Sequence, residues 1–204
     1  MLLSASFLSL DDKKQIKNLA KEKIDYLHLD IMDGKYVTNK TVNFLELKKN
    51  LKGITKPFDV HLMVEDVFKY VKKYQKLHPE IMTFHLDTNS NPNKIIDYLK
   101  KKNIKIGIAL KPEEDIEIIK PYLDKIDLVL IMSVNPGKGG QQFMPEVLTK
   151  IDKLKNKNLL IEIDGGINNT NIDLCKKCDI VVVGSYITNG NFKERIEKLR
   201  NGQF

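Results

Sequence analysis

The sequence predicts an α/β fold, a (β/α)8 TIM barrel in which eight parallel strands alternate with eight helices. Three observations predict it. Short β-rich runs alternate with amphipathic stretches from one end of the chain to the other, eight of each. The 204 residues, read as one domain over 1–204, are enough for a sizeable core and close to the lower limit for such a barrel. His28, Asp30, His61, His85 and Asp164 fall at or near the C-terminal ends of their runs, where a barrel builds a site from several strands at once. An open doubly wound sheet also alternates β and α, so the polar strand ends are what favour closure.

In chain order, the first strand is LLSASFL from Leu2, and the helix after it carries Ile16, Leu19 and Ala20. YLHLDIM from Tyr26 leads to Phe44, Leu47 and Leu51; FDVHLM from Phe58 leads to Val67, Val71 and Tyr74. IMTFHL from Ile81 precedes Ile95, Ile96 and Leu99, and IKIGIAL from Ile104 precedes Ile116, Ile119 and Leu123. LVLIMSV from Leu128 is followed by Val147, Ile151 and Leu154. LLIEID from Leu159 precedes the weakest helix, the short Asn-rich NNTNIDLCKKC with Ile172 and Cys175. IVVVGS from Ile180 closes the series with Phe192, Ile196 and Leu199. The strands are apolar, often β-branched runs, as expected of strands buried on both faces, and the helices repeat apolar residues three and four apart.

Composition narrows the function classes. Hydrophobic residues at 42% and charged residues at 30% fit a globular chain, and no apolar run approaches the roughly 20 residues of a membrane span. The apolar start MLLSASFL lacks a preceding basic region and runs into acidic residues, which argues against a secretory signal and for a cytoplasmic protein. The net charge of +7 is almost wholly lysine, Arg195 and Arg200 being the only arginines. Nucleic-acid readers usually grip with arginine and stack with aromatics, whereas these lysines fall on the polar faces and ends of expected helices. No nucleic-acid partner is therefore expected. Cys175 and Cys178 form one C-x-x-C at helical spacing; zinc would need a second pair, so they read as structural thiols.

The chemistry sits in the polar strand ends. Side chains alternate along a strand, so His28 and Asp30 share a face, which in a barrel is its interior mouth. His61 ends the third strand and Asp164 the seventh. Two imidazoles and two carboxylates converging from three strands suit a divalent transition metal, with imidazole favouring zinc or iron over magnesium. Glycine supplies a second signal: NPGKGGQQF after the sixth strand, DGG after the seventh and GS after the eighth put exposed backbone N–H groups on adjacent loops. Those loops are the usual phosphate cradle of such barrels, so the substrate is expected to carry a phosphate.

The motifs SFLS, YLHLDIMDG, DVHLMV, TFHLD, LVLIMSVNPGKGGQQF, IEIDGGIN and VVVGS, in this order and spanning nearly the whole chain, resemble those of the ribulose-phosphate 3-epimerases. The resemblance implies a barrel of the ribulose-phosphate-binding type that interconverts D-ribulose 5-phosphate and D-xylulose 5-phosphate, in the pentose phosphate pathway, with one divalent metal per subunit. Zinc or iron comes first for that ion, then manganese or cobalt. By position it makes His28, Asp30, His61 and Asp164 the metal ligands, with Asp30 and Asp164 also the acid/base pair. Ser6 and His61 would touch the substrate, and Met32, Met63 and Met132 would line the pocket. Gly137, Lys138, Gly139, Gly140, Gly165, Gly166, Gly184 and Ser185 would hold the substrate, chiefly its phosphate. Apolar helix faces and the resemblance together point to a homo-oligomer.

Those residue types fit the reaction. Inverting the carbon beside a ketone requires proton removal on one face and return on the other, so two acid/base groups must flank it, and the resemblance implies that these are Asp30 and Asp164 acting through a metal-stabilised 2,3-enediolate. The chain departs from the usual family pattern at Ala5 (proline), Lys35 (histidine), Thr38 (proline) and Lys138 (phenylalanine), none an expected ligand or acid/base. Replacing the proline with Thr38 is expected to loosen the loop after the second strand. A 3-epimerase of a related ketose phosphate, such as D-allulose 6-phosphate, would share all four ligands. A decarboxylase of the related barrels is disfavoured, since DIMDG lacks the lysine of D-x-K-x-x-D. A catalytically silent barrel acting as a binding protein would be expected to have lost a ligand, and none is missing.

Overall fold

Eight parallel strands close into a barrel in the order β1 to β8, each paired with its sequence neighbours and β8 pairing back to β1. The structure, a computed structural model, describes residues 1–10, 12–154 and 158–201. The strands are β1 (Leu2–Ser6), β2 (Tyr26–Met32), β3 (Phe58–Met63), β4 (Ile81–His85), β5 (Lys105–Leu110), β6 (Leu128–Met132), β7 (Leu160–Asp164) and β8 (Ile180–Val183). The α-helices are α1 (Lys13–Leu19), α2 (Phe44–Leu51), α3 (Val67–Tyr74), α4 (Pro92–Lys100), α5 (Thr149–Leu154), α6 (Ser185–Thr188) and α7 (Phe192–Asn201). No helix among the described residues is long and apolar enough to cross a membrane.

Local chemistry starts the helices where the apolar spacing begins. Asp12, Asn43, Asp66 and Asn91 each turn a side-chain oxygen onto a backbone N–H of the first turn of α1 to α4. Asn91 is followed by Pro92 at the first helical position, where a missing N–H costs nothing. The apolar stripe of each helix then lies on the barrel; in α3 it is Val67, Val71 and Tyr74, and in α4 Ile95, Ile96 and Leu99, all buried. Burying each such side chain contributes about 1.5–3 kcal/mol, more than helical propensity supplies in elements this short.

Three expected helices are altered. The stretch after β5 is a 3-10 helix, Ile116–Tyr122, because Pro121 near its end removes a donor and crowds the preceding turn. After β6 a 3-10 turn, Pro145–Leu148, runs into α5, and after β7 only the 3-10 turn Ile172–Cys175 forms. Cys178 therefore lies beyond the helical turn rather than within it; both thiols are buried and free. Strand ends shift by one to two residues, and Ser185, expected in the last strand, instead opens α6.

Strand register sorts the barrel interior. Ser6, His28, Asp59, His61 and Thr83 lie on residues paired across β1 to β4, and Glu162 and Asp164 stand two apart on β7. Tyr26, Ile81, Ala109, Leu128, Leu130, Met132 and Ile180 form a separate apolar cluster inside the barrel. A much larger apolar layer, between strands and helices, forms the main core. The polar interior is thus confined to one side and has a firm apolar backing.

Candidate active site and metal centre

His28, Asp30, His61 and Asp164 each bring a ligating atom within 4.8 Å of the others. Alternation along β2 aims His28 and Asp30 inward together, and the pairing of Asp30 with His61 places the third residue beside them. His28 Nε2 lies 3.4 Å and His61 Nδ1 3.5 Å from the same oxygen, Asp30 Oδ1. The other Asp30 oxygen accepts a hydrogen bond of 2.7 Å from the Ser6 hydroxyl. Both ring nitrogens are buried and have no hydrogen-bond partner, a costly state for polar atoms in a dry interior. A cation fits there: two ring nitrogens without hydrogen-bond partners and two carboxylates converge on one point, and the imidazoles suit zinc or iron.

Each histidine is held from behind. Asp59 Oδ2 lies 2.6 Å from His28 Nδ1 and also accepts from Ser4 Oγ at 2.9 Å. His61 Nε2 faces His85 Nε2 at 2.9 Å, and the His85 ring packs 5.2 Å from the Tyr36 ring. Burial, then the neighbouring His61 and Lys111, holds the His85 pKa well below the ordinary range, so His85 is neutral.

The two central carboxylates are pushed apart. Burial disfavours a charge on Asp30, but His28 and then His61 outweigh it and hold Asp30 well below the usual carboxylate range. Burial pushes Asp164 up to about 6, with His28 opposing and the Asp30 charge reinforcing the rise. For His28, burial is outweighed by Asp59 and Asp30, which raise its pKa well above the usual value. Glu162, two residues before Asp164, is raised well above the usual range by burial and by the Asp59 charge. An ionised and a protonable carboxyl at one point can remove one proton and deliver another.

Above this cluster opens a cavity of about 520 Å³ with Asp30 and Asp164 in its floor, and glycines from three loops line it. Gly166, at φ +63°, occupies backbone space where a Cβ would come within 2.5 Å of Phe143 N. Such a position requires glycine and lets the loop backbone approach a ligand closely. A family model for ribulose-phosphate 3-epimerases matches residues 1–188. The chain belongs to the ribulose-phosphate 3-epimerase family.

Relatives of this epimerase family agree along the whole length. The ribulose-phosphate 3-epimerase of Helicobacter pylori strain J99 is 39% identical, covering 98% of this chain and 94% of its own. That of Bacillus subtilis is 34% identical, covering 99% and 97%. Among solved structures, 3-hexulose-6-phosphate synthase from Salmonella typhimurium superposes with a TM-score of 0.77 at 14% identity, over 100% of this chain and 98% of its own. KGPDC from Streptococcus mutans gives 0.74 at 14% identity, over 99% and 96%. At such identities these two share the barrel fold.

Of the epimerase site residues expected from sequence, Ser6, Met32, Met63, Met132, Gly137, Lys138, Gly139, Gly140, Gly165, Gly166, Gly184 and Ser185 line the cavity with Asp30 and Asp164. His28 and His61 do not line it; they are almost wholly buried and lie outside the cavity lining. Lys138 is exposed, and its carbonyl accepts from Gln141 Nε2 at 2.7 Å. The loop containing Thr38 is anchored on both sides: Tyr36 OH donates to Asp87 at 2.7 Å, Asn39 Nδ2 to the Gly137 carbonyl at 2.7 Å, and Asp33 accepts from the Glu65 N–H. Asp59, Glu162, Asn39 and Lys40 escaped the sequence reading. For Asp59 and Glu162 the signal was there, since each stands two residues before an expected ligand and so shares its face.

Proposed function

We propose that this chain is a metal-dependent epimerase that interconverts D-ribulose 5-phosphate and D-xylulose 5-phosphate. One observation carries the reading: Asp30 and Asp164, from different strands, meet with His28 and His61 at a metal-competent cluster beside the cavity. His28, Asp30, His61 and Asp164 would hold one divalent ion, zinc or iron by donor type, with manganese and cobalt compatible. When bound, that ion supplies Lewis-acid polarisation of the ketone.

The chain's own residues do the rest. Asp30, ionised and held by the Ser6 hydroxyl, is suited to take the proton at C3. Asp164, which reaches the cluster from β7, is suited to return one to the opposite face, and the roles exchange in the reverse direction. Met32, Met63 and Met132 give the reacting carbon a polarizable wall with no competing acid or base. Gly139, Gly140, Gly165, Gly166, Gly184 and Ser185, which also line the cavity, would offer backbone donors and room for the phosphate. Binding the phosphate there orients the sugar across the two carboxylates.

The test is exchange of the C3 proton of D-ribulose 5-phosphate in deuterated water, with the product identified, before and after chelation. Exchange with appearance of D-xylulose 5-phosphate, lost on chelation and restored by a divalent ion, is the expected result. No exchange by a folded, metal-loaded sample would overturn the proposal, and turnover of D-allulose 6-phosphate instead would redirect it.

A further inference from the structure

We infer that Asp59 is a positioning residue for the metal centre: it locks the His28 ring so that Nε2, and not Nδ1, is offered to the ion. The inference rests on the metal-dependent reading above and adds a residue outside the four ligands. Asp59 and His28 are paired across β3 and β2, and neither side chain is exposed. The Asp59 carboxylate is itself pinned, since Ser4 Oγ donates 2.9 Å to the oxygen that meets His28 Nδ1 at 2.6 Å. An ionised carboxylate only accepts, so Nδ1 must carry the proton at this contact. Nε2 then points at Asp30 Oδ1 and has no partner of its own.

The arrangement at the other histidine sharpens the point. His61 turns Nδ1 towards Asp30 and is backed through Nε2 by His85, a neutral imidazole rather than an anion. A carboxylate behind a ligating imidazole both orients it and makes it more basic, whereas a neutral ring orients it only. The two sides of the centre are therefore unequal, with His28 the stronger donor. His28, Asp59 and Glu162 also group closely enough to suggest a second cation site. The 2.6 Å contact already occupies Nδ1, which is the nitrogen such a site would need.

The experiment uses the full chain stripped of metal, as wild type, Asp59→Asn and Asp59→Leu. Zinc and cobalt affinities are measured by competition with a chromophoric chelator, and the His28 ring protons by NMR on the metal-free protein. Asp59→Asn keeps the shape and removes the charge, and is expected to bind about 10-fold more weakly; Asp59→Leu should approach about 100-fold. A downfield Nδ1–H signal from His28 in the wild type, absent from Asp59→Leu, separates a released ring from general loss of packing. Should Asp59→Leu not fold, Asp59→Asn decides. Tight binding by the wild type and equally tight binding by a folded Asp59→Asn overturns this inference alone. Failure of the wild type to bind either ion overturns it together with the metal reading.

Discussion

Asp30 is touched by Ser6, His28 and His61, and every one of those neighbours favours its ionised form. In the metal-free protein, burial and the Asp30 charge outweigh His28 and His61 and push Asp164 up to about 6. Replacing Asp164 with Asn removes one of the two proposed proton carriers, and one carboxylate of the metal cluster, without changing shape. A folded Asp164→Asn is expected to form product about 10²–10⁴-fold more slowly, measured by coupled assay with circular dichroism as the folding control. Near-normal turnover would contradict the two-carboxylate mechanism. Lys138 is different, because its side chain is exposed at the cavity rim. Lys138→Phe is expected to change kcat/KM by less than about fivefold, the scale of one exposed charge; a collapse would show a direct hold on the phosphate. His28, Asp30, His61 and Asp164 were legible because strand alternation is a strict period of two. Asp59 and Glu162 obey the same rule but show their importance only when neighbouring strands place Asp59 against His28 and Glu162 beside them.

Among the elements, the strand ends and the βα loops line the cavity, and the helices cover the apolar outer face of the barrel. In the Asp164-Gly165-Gly166 turn both glycines have positive φ, and Gly166 abuts backbone rather than a side chain that could move away. Gly166→Ala is expected to raise KM for the sugar phosphate roughly tenfold, the scale of the strain imposed, while kcat changes less. Steady-state kinetics that left KM unchanged would show that this loop does not hold the phosphate. The strands and the first four helices were readable from apolar spacing and from their Asp and Asn caps. The 3-10 stretches Ile116–Tyr122 and Ile172–Cys175 were not, because over four to seven residues a repeat of three cannot be told from one of 3.6. Pro121 was the one local clue.

At the scale of the molecule, the buried charges couple the site to global stability. In metal-free protein, Asp164 has a folded pKa above its unfolded value, so the folded state holds more protons from about pH 4 to about 6 and stability falls as pH rises through that window. His28, also raised, contributes stability below its unfolded pKa that is lost as pH rises further, through its folded pKa. Asp30 and Asp59, both depressed, act oppositely and withdraw their stability only in acid. Chelator-treated protein is therefore expected to lose Tm as pH rises above about 6.5, the ordinary histidine pKa, where the unfolded chain gives up the proton that folded His28 keeps, and saturating divalent ion to remove most of that loss by occupying the place of the protons. A Tm independent of both pH and metal, followed by scanning calorimetry, would show that these groups are not linked to folding. The sequence by itself determined the alternation of strand and helix, the inward face of each strand and the loops that could cradle a phosphate, since these follow from local periodicity and turn chemistry. Only the tertiary structure decided that Asp30 lies between two orphaned imidazole nitrogens and that Asp59 and His85 stand behind them. Those facts depend on register between strands, and register is set by the packing of the whole barrel rather than by any one segment.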